Sequence, residues 1–139
     1  MNPNYPTKEE ILEKKPKFRK GTIQAVKLWK KEYIKGWKFR TDEEKIKLLK
    51  SLIKSLEEIY EKPVKEVIAS NDDFYDTKSR AIYLNAVKPS IISTLHEFAH
   101  HILGDSELKA CVFSVWLFKL CFPGLYLNLQ WKEHLLLIK

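Results

Sequence analysis

Residues 80–107 read RAIYLNAVKPSIISTLHEFAHHILGDSE, and the fold turns on how this stretch is divided. Arg80–Asn85 is rich in aromatic and branched residues and predicts a β-strand. Pro89 suits the first turn of a helix, and Gly104 suits its C-terminal stop, so the spacing predicts a helix up to Leu103. On that helix His96 and His100 lie at i and i+4, one above the other. Both imidazoles therefore leave one face and converge on a point where a metal ion fits. Glu97 is offset by about 100° around the axis. It sits beside such an ion without filling a ligand position, where it can take a proton from a metal-bound water. Zinc lowers the pKa of that water to about 7, so a carboxylate suffices as base near neutrality. Phe98, Ala99 and Ile102 are uncharged, as a buried helix requires, and two unpaired imidazoles would be poor core material.

Two histidines leave a tetrahedral metal short of one protein ligand and one open position. The candidates are Glu107, His101, His134 and the acids Asp72, Asp73, Asp76 and Asp105. His101 is turned about 100° from His100 and is expected at the surface or behind the ligands. Glu107 lies seven residues past His100 across a glycine turn, on a next helix that Asp105 can cap. A helix folded back on His96–His100 brings Glu107 to the metal, although an acid in a first turn also serves the helix dipole.

Outward from this centre, the chain reads as one domain of 139 residues. Residues 1–63 are helical and basic. Thr7 with Glu9 and Glu10 starts a short helix that Pro16 ends, and Gly21–Lys35 forms a second, with Val26, Trp29, Tyr33 and Trp37 along one face. Thr41 and Glu44 form a capping box for a third helix, whose stripe is Ile46, Leu49, Ile53, Leu56 and Tyr60. Residues 64–123 hold a strand at Val64–Ala69, a turn at Asn71-Asp72-Asp73, the strand and helix above, and a helix to about Cys121. Residues 124–139 form an apolar tail, expected to be a last helix. The fold class is α+β: N-terminal helices, a small sheet, two central helices and a helical tail.

Apolar residues are 45% and charged residues 31% of the chain, which excludes a disordered or collagen-like protein. Two cysteines make no disulfide framework, and no charged-then-apolar leader opens the sequence, so the expected location is cytoplasmic. Cys111 and Cys121 are expected to be buried free thiols. Ala110–Leu129 is nearly continuously apolar, but Lys119 and Pro123-Gly124 divide it. A buried helix with a packed tail is favoured over a membrane span.

The net charge of +7 is lopsided: residues 1–65 carry +8. Lys14–Arg40 holds eleven basic residues against Glu32 alone, interleaved with Phe18, Trp29, Tyr33, Trp37 and Phe39. Such a stretch suits nucleic acid or an acidic protein partner, through phosphate contacts and base stacking. It equally suits an amphipathic helix with aromatics inward and lysines outward, which the spacing of Trp29, Tyr33 and Trp37 favours.

A resemblance extends the reading. Glu107-Leu-Lys-Ala110-Cys-Val-Phe113-Ser114-Val-Trp-Leu117, with Pro123 beyond it, is similar to the glutamate helix of gluzincin-type zinc peptidases. The ImmA/IrrE-like branch is nearest, and Ala81–Asn85 followed by Thr94-Leu95-His96-Glu97 resembles it too. The match covers about residues 64–123. It implies Zn2+ held by His96, His100 and Glu107, with Glu97 as general base in peptide-bond hydrolysis. It also implies that Arg80–Asn85 is the sheet edge on which an extended protein or peptide substrate adds as a strand. The segment from His100 to Glu107 is shorter than usual in that branch. The small minigluzincins use a third histidine, which would here be His134. Tyr75, Tyr83 and His134 are the candidate oxyanion donors. Two other readings stand beside this one. One is a latent or non-catalytic zinc regulatory protein, with Trp131 and His134 of the tail filling the cleft. The other is a SprT-like peptidase working at nucleic acid through Lys14–Arg40.

Overall fold

A computed structural model describes residues 5–132 and 135–137. Three helices come first: α1 (Lys8–Glu13), α2 (Thr22–Tyr33) and α3 (Asp42–Tyr60). Strands β1 (Glu66–Ser70), β2 (Phe74–Asp76) and β3 (Ala81–Asn85) follow, then α4 (Ile91–Leu103), α5 (Glu107–Cys121) and α6 (Pro123–Asn128), and last the short strands β4 (Gln130–Lys132) and β5 (Leu135–Leu137). The α+β class is as the sequence predicts.

The N-terminal caps follow from side chains that accept otherwise orphaned backbone N–H groups. Thr7 and Glu10 make a full reciprocal capping box on α1. Thr41 accepts from Glu44 N–H at 3.1 Å, but the Glu44 carboxylate takes up the Thr41 hydroxyl and does not reach back to the backbone. Ser90 caps α4, leaving Pro89 outside the helix, and Ser106 caps α5 in place of the expected Asp105. Trp37 leaves the second helix altogether. Gly36, at φ +76°, turns the chain into a short 3₁₀ segment from Trp37 to Phe39.

The core is built by stripes meeting. Leu49, Leu52, Ile53 and Leu56 of α3 are fully buried, with Leu95, Phe98 and Ala99 of α4 and Ala110 and Leu117 of α5. α5 is apolar on nearly every face because α1, α2 and α4 all pack on it. That accounts for the long apolar run, and among the described residues no helix is long and apolar enough to cross a membrane.

Two expectations about the sheet and tail are corrected. The three-stranded sheet has the order β1-β3-β2, with β3 parallel to β1 and antiparallel to β2. Residues 80–85 therefore form its middle strand and not its edge. The sequence reading passed over β2, three residues long and set directly after a polar turn. A tight hairpin creates it: Asp76 accepts from Lys78 N–H and from the Ser79 hydroxyl, and Phe74 stacks on Tyr83 at 4.1 Å. The tail is helical only through Asn128; β4 and β5 then pair antiparallel, Gln130 opposite Leu137. The apolar repeat in Leu135–Leu137 is as compatible with a strand as with a helix.

Candidate metal centre

α4 and α5 make the most extensive helix pair, and their junction builds the site. Gly104, at φ +92°, ends α4 in a conformation few side-chain-bearing residues adopt, and the chain reverses within three residues to begin α5 at Glu107. That reversal lays the Glu107 carboxylate across the two imidazoles. Its Oε1 lies 2.7 Å from His100 Nε2 and its Oε2 lies 3.3 Å from His96 Nε2. The rings stand nearly perpendicular, 4.9 Å apart. These contacts hold Glu107 below the usual carboxylate range, hydrogen bonding from His96 first among the causes. His100 Nδ1–H donates to Gly104 O at 2.8 Å, which fixes the ring and leaves Nε2 facing inward. Two imidazole nitrogens and the Glu107 carboxylate thus face one another at the cleft, residue types that could hold a metal ion.

Glu97 is buried beside this group. Burial, then the charges of Asp73 and Glu107, push its carboxyl up to about 8. A cleft of about 520 Å³ opens in front, lined by these four residues together with Tyr5, Asp73, Phe74, Tyr75 and Asp105, among others. Its strand border is β2.

The remaining candidates are dispersed. His101 is neither at the surface nor at the metal position but is 3% exposed. Its Nε2–H donates to Lys62 O at 2.9 Å, so Nδ1 accepts from the Tyr75 hydroxyl at 2.8 Å. Burial holds its pKa down and keeps it neutral. Tyr75 thereby spends its hydroxyl on His101, and Tyr83 stacks on Phe74 without lining the cleft, so neither offers an oxyanion donor here. Asp76 is occupied by its turn, and Asp72 is exposed. Asp73 accepts from Asn85 N–H at 2.8 Å, and burial raises its pKa. His134 lies outside the described residues. Among the described residues, the one group of three whose ligand atoms all lie within 4.8 Å of one another is His96, Glu107 and Cys111, with the Cys111 sulfur 3.8 Å from His96 Nδ1; His100 joins it through its contact with Glu107. Sequence reasoning missed Tyr5: a single tyrosine ahead of a short helix carries no periodic signal.

The basic stretch puts its aromatics inward. Trp29 is 3% exposed, donates to Leu48 O at 2.9 Å and packs edge-on against Trp37. Trp37 and Tyr33 are half-buried, and only Phe39 stands clear.

Neither the family models, nor the curated proteins, nor the solved structures contain a match to this chain.

Proposed function

We propose that this protein is a zinc-dependent peptidase in which His96, His100 and Glu107 hold the metal and Glu97 is the general base. The observation that carries the reading is the meeting of two imidazole Nε2 atoms on both oxygens of one carboxylate, with a second carboxyl buried alongside. The two Nε2 atoms and the Glu107 carboxylate form the donor set that a divalent ion takes, with the imidazoles neutral when it binds. Zinc, when bound, supplies Lewis-acid polarisation of a peptide carbonyl and a water of lowered pKa.

The chain's own residues do the rest. A positive charge in the pocket favours the ionised form of Glu97, which burial alone disfavours. Glu97 then accepts a proton from water and delivers it to the leaving amine nitrogen. Asp73 and Asp105 add negative charge to the cleft, and among the described residues no Lys or Arg lines it. β2 pairs with β3 on one side only among the described residues, and its other edge borders the cleft. That edge supports an extended substrate added as a fourth strand.

The test is bound zinc per chain by elemental analysis on wild type, Glu107→Ala and Glu97→Gln, with peptide-library hydrolysis read by mass spectrometry. One zinc in wild type, a large loss in Glu107→Ala, and zinc retained without cleavage in Glu97→Gln are expected. Folded wild type that takes up no zinc, or Glu97→Gln that cleaves as wild type does, refutes the proposal.

A further inference from the structure

A second concavity shares the α4–α5 reversal with the metal centre but none of its lining residues. Asp105 and Glu107 line the cleft, whereas Leu103, Ser106 and Leu108 line a separate groove of about 490 Å³. The floor of the groove is apolar: Tyr60 from α3, Ile102 and Leu103 from α4, and Leu108, Val112 and Phe113 from α5. Val112 and Phe113 are buried, while Leu103 stands 41% exposed.

One wall is the loop after α1, where Lys14, Lys15, Pro16 and Lys17 all line the groove. The loop is fastened at both ends. Ahead of it, Trp116 Nε1–H donates to Ile11 O at 2.9 Å across 105 positions of sequence. Past it, Phe18 packs edge-on against Phe113 at 5.3 Å, and Arg19 N–H and guanidinium donate to the Tyr60 hydroxyl at 3.4 Å and to Ile59 O at 3.0 Å. The groove is thus preformed. Lys109 of α5 joins the three lysines of the loop, and all four are exposed. Among the described residues none of the four pairs with a carboxylate, and no Asp or Glu lines the groove. Lysine stems extend an apolar wall while their ammonium ends stay in water. Four unpaired cations around an apolar floor attract an anion that brings its own apolar body, and they repel a second copy of the same basic face. The volume suits a small molecule, whose sites span about 300–1,000 Å³, whereas a folded partner covers about 800 Å² per side.

We propose that this groove binds a single-chain fatty carboxylate, its chain lying on Tyr60, Leu108 and Phe113 and its carboxylate held by Lys14, Lys17 and Lys109. The inference stands apart from the zinc reading, since it uses no residue of the metal centre.

The experiment is calorimetric titration of the full chain, with and without EDTA, using dodecanoate below its micellar range beside octanoate and dodecyltrimethylammonium. Saturable one-to-one binding of dodecanoate is expected, unchanged by EDTA. Octanoate is expected to bind about 10–100-fold more weakly, because each buried methylene is worth about 4-fold. Lys14→Gln, Lys17→Gln and Lys109→Gln combined should lose about 10-fold, less at high salt. Leu103→Glu, which sets a carboxylate on the floor at an exposed position, should lose at least as much. Circular dichroism confirms that both variants fold, and either one decides the matter alone. Dodecyltrimethylammonium binding as tightly as dodecanoate, or a folded variant that binds dodecanoate as wild type does, overturns the proposal. Binding that EDTA abolishes also overturns it, because the carboxylate then sits on a metal. So does a peptide of Glu and Leu that saturates the groove where dodecanoate does not bind, which assigns the groove to a protein partner.

Discussion

Glu97→Gln in the metal-free protein isolates one electrostatic cost of the site. Glutamine keeps the shape of the side chain but cannot ionise. Glu97 has an ordinary value of 4.5 and is pushed up to about 8 in the fold, by burial first and then by Asp73 and Glu107. The folded state therefore binds the proton more tightly than the unfolded chain. Below about pH 4.5 the group is protonated in both states and costs nothing. As pH rises from there to about 8, the unfolded chain releases the proton while the folded chain retains it, and stability falls. At about 1.4 kcal/mol per pH unit, this amounts to about 3 kcal/mol near pH 7 and about 5 kcal/mol once the folded form has also ionised. Glu97→Gln should thus be more stable than wild type by these amounts in EDTA, with the advantage vanishing near pH 4. Titrating groups remote from Glu97 are common to both proteins and cancel in the difference, while Asp73 and Glu107, which are coupled to it, leave a smaller residual. Urea unfolding of both proteins from pH 4 to 9 measures it. A stability difference that does not change with pH refutes the reasoning. Asp73→Asn, which removes one of the two charges facing Glu97, should shrink the pH-dependent part.

Three further outcomes are expected. His101→Phe leaves the Tyr75 hydroxyl and the Lys62 carbonyl without their partner and should cost about 1–3 kcal/mol in urea unfolding while zinc stoichiometry is unchanged; zinc loss at full stability would place His101 in the centre instead. Trp29→Ala empties a core site packed against Trp37 and Phe122 and should cost about 3–5 kcal/mol. A loss of nucleic-acid affinity without a loss of stability would overturn the inward assignment of that ring. Trp116→Phe removes the bond to Ile11 O and should cost about 1 kcal/mol, with faster hydrogen exchange confined to α1; exchange unchanged there would mean that burial of Ile11 alone holds the helix.

What was legible in the sequence was whatever repeats with the period of its own element. The α3 stripe and the apolar α5 announce buried faces, which the structure buries, and the i and i+4 histidines of α4 announce a shared face, which the structure turns to the cleft. The meeting of Glu107 with His96 and His100 was open on geometry, because a seven-residue offset places the carboxylate only if the Gly104 turn reverses the helix. The failures share a different cause. β2 is too short to show alternation and owes its pairing to Asp76 and the Phe74–Tyr83 stack, which also decides that β3 is central. Tyr5 and the Trp116–Ile11 bond join residues about a hundred positions apart, where no local pattern points from one to the other. His101 reads as outward on a helical wheel, but the Lys62–Pro63 segment closes over it and supplies a carbonyl.

The distribution of charge carries the last step. The chain is net +7, with most of its lysines in residues 1–65, yet among the described residues the cleft is lined by Asp73, Glu97, Asp105 and Glu107 and by no Lys or Arg. Two of those carboxyls have raised pKa values because burial and their neighbours oppose ionisation. A fold selected for stability alone would pair Glu97 with one of twenty-five available cations or replace it with an apolar residue. Instead it is buried among like charges, beside imidazoles already aimed at a shared point. Local conflict of this kind marks functional sites. In the zinc reading proposed above, a divalent cation at that point would relieve Glu97, whose ionisation is costly without it. Such relief is absent at Asp105: exposed at the rim, it gains little from the ion, and Asp105→Asn should leave zinc affinity within about 3-fold of wild type.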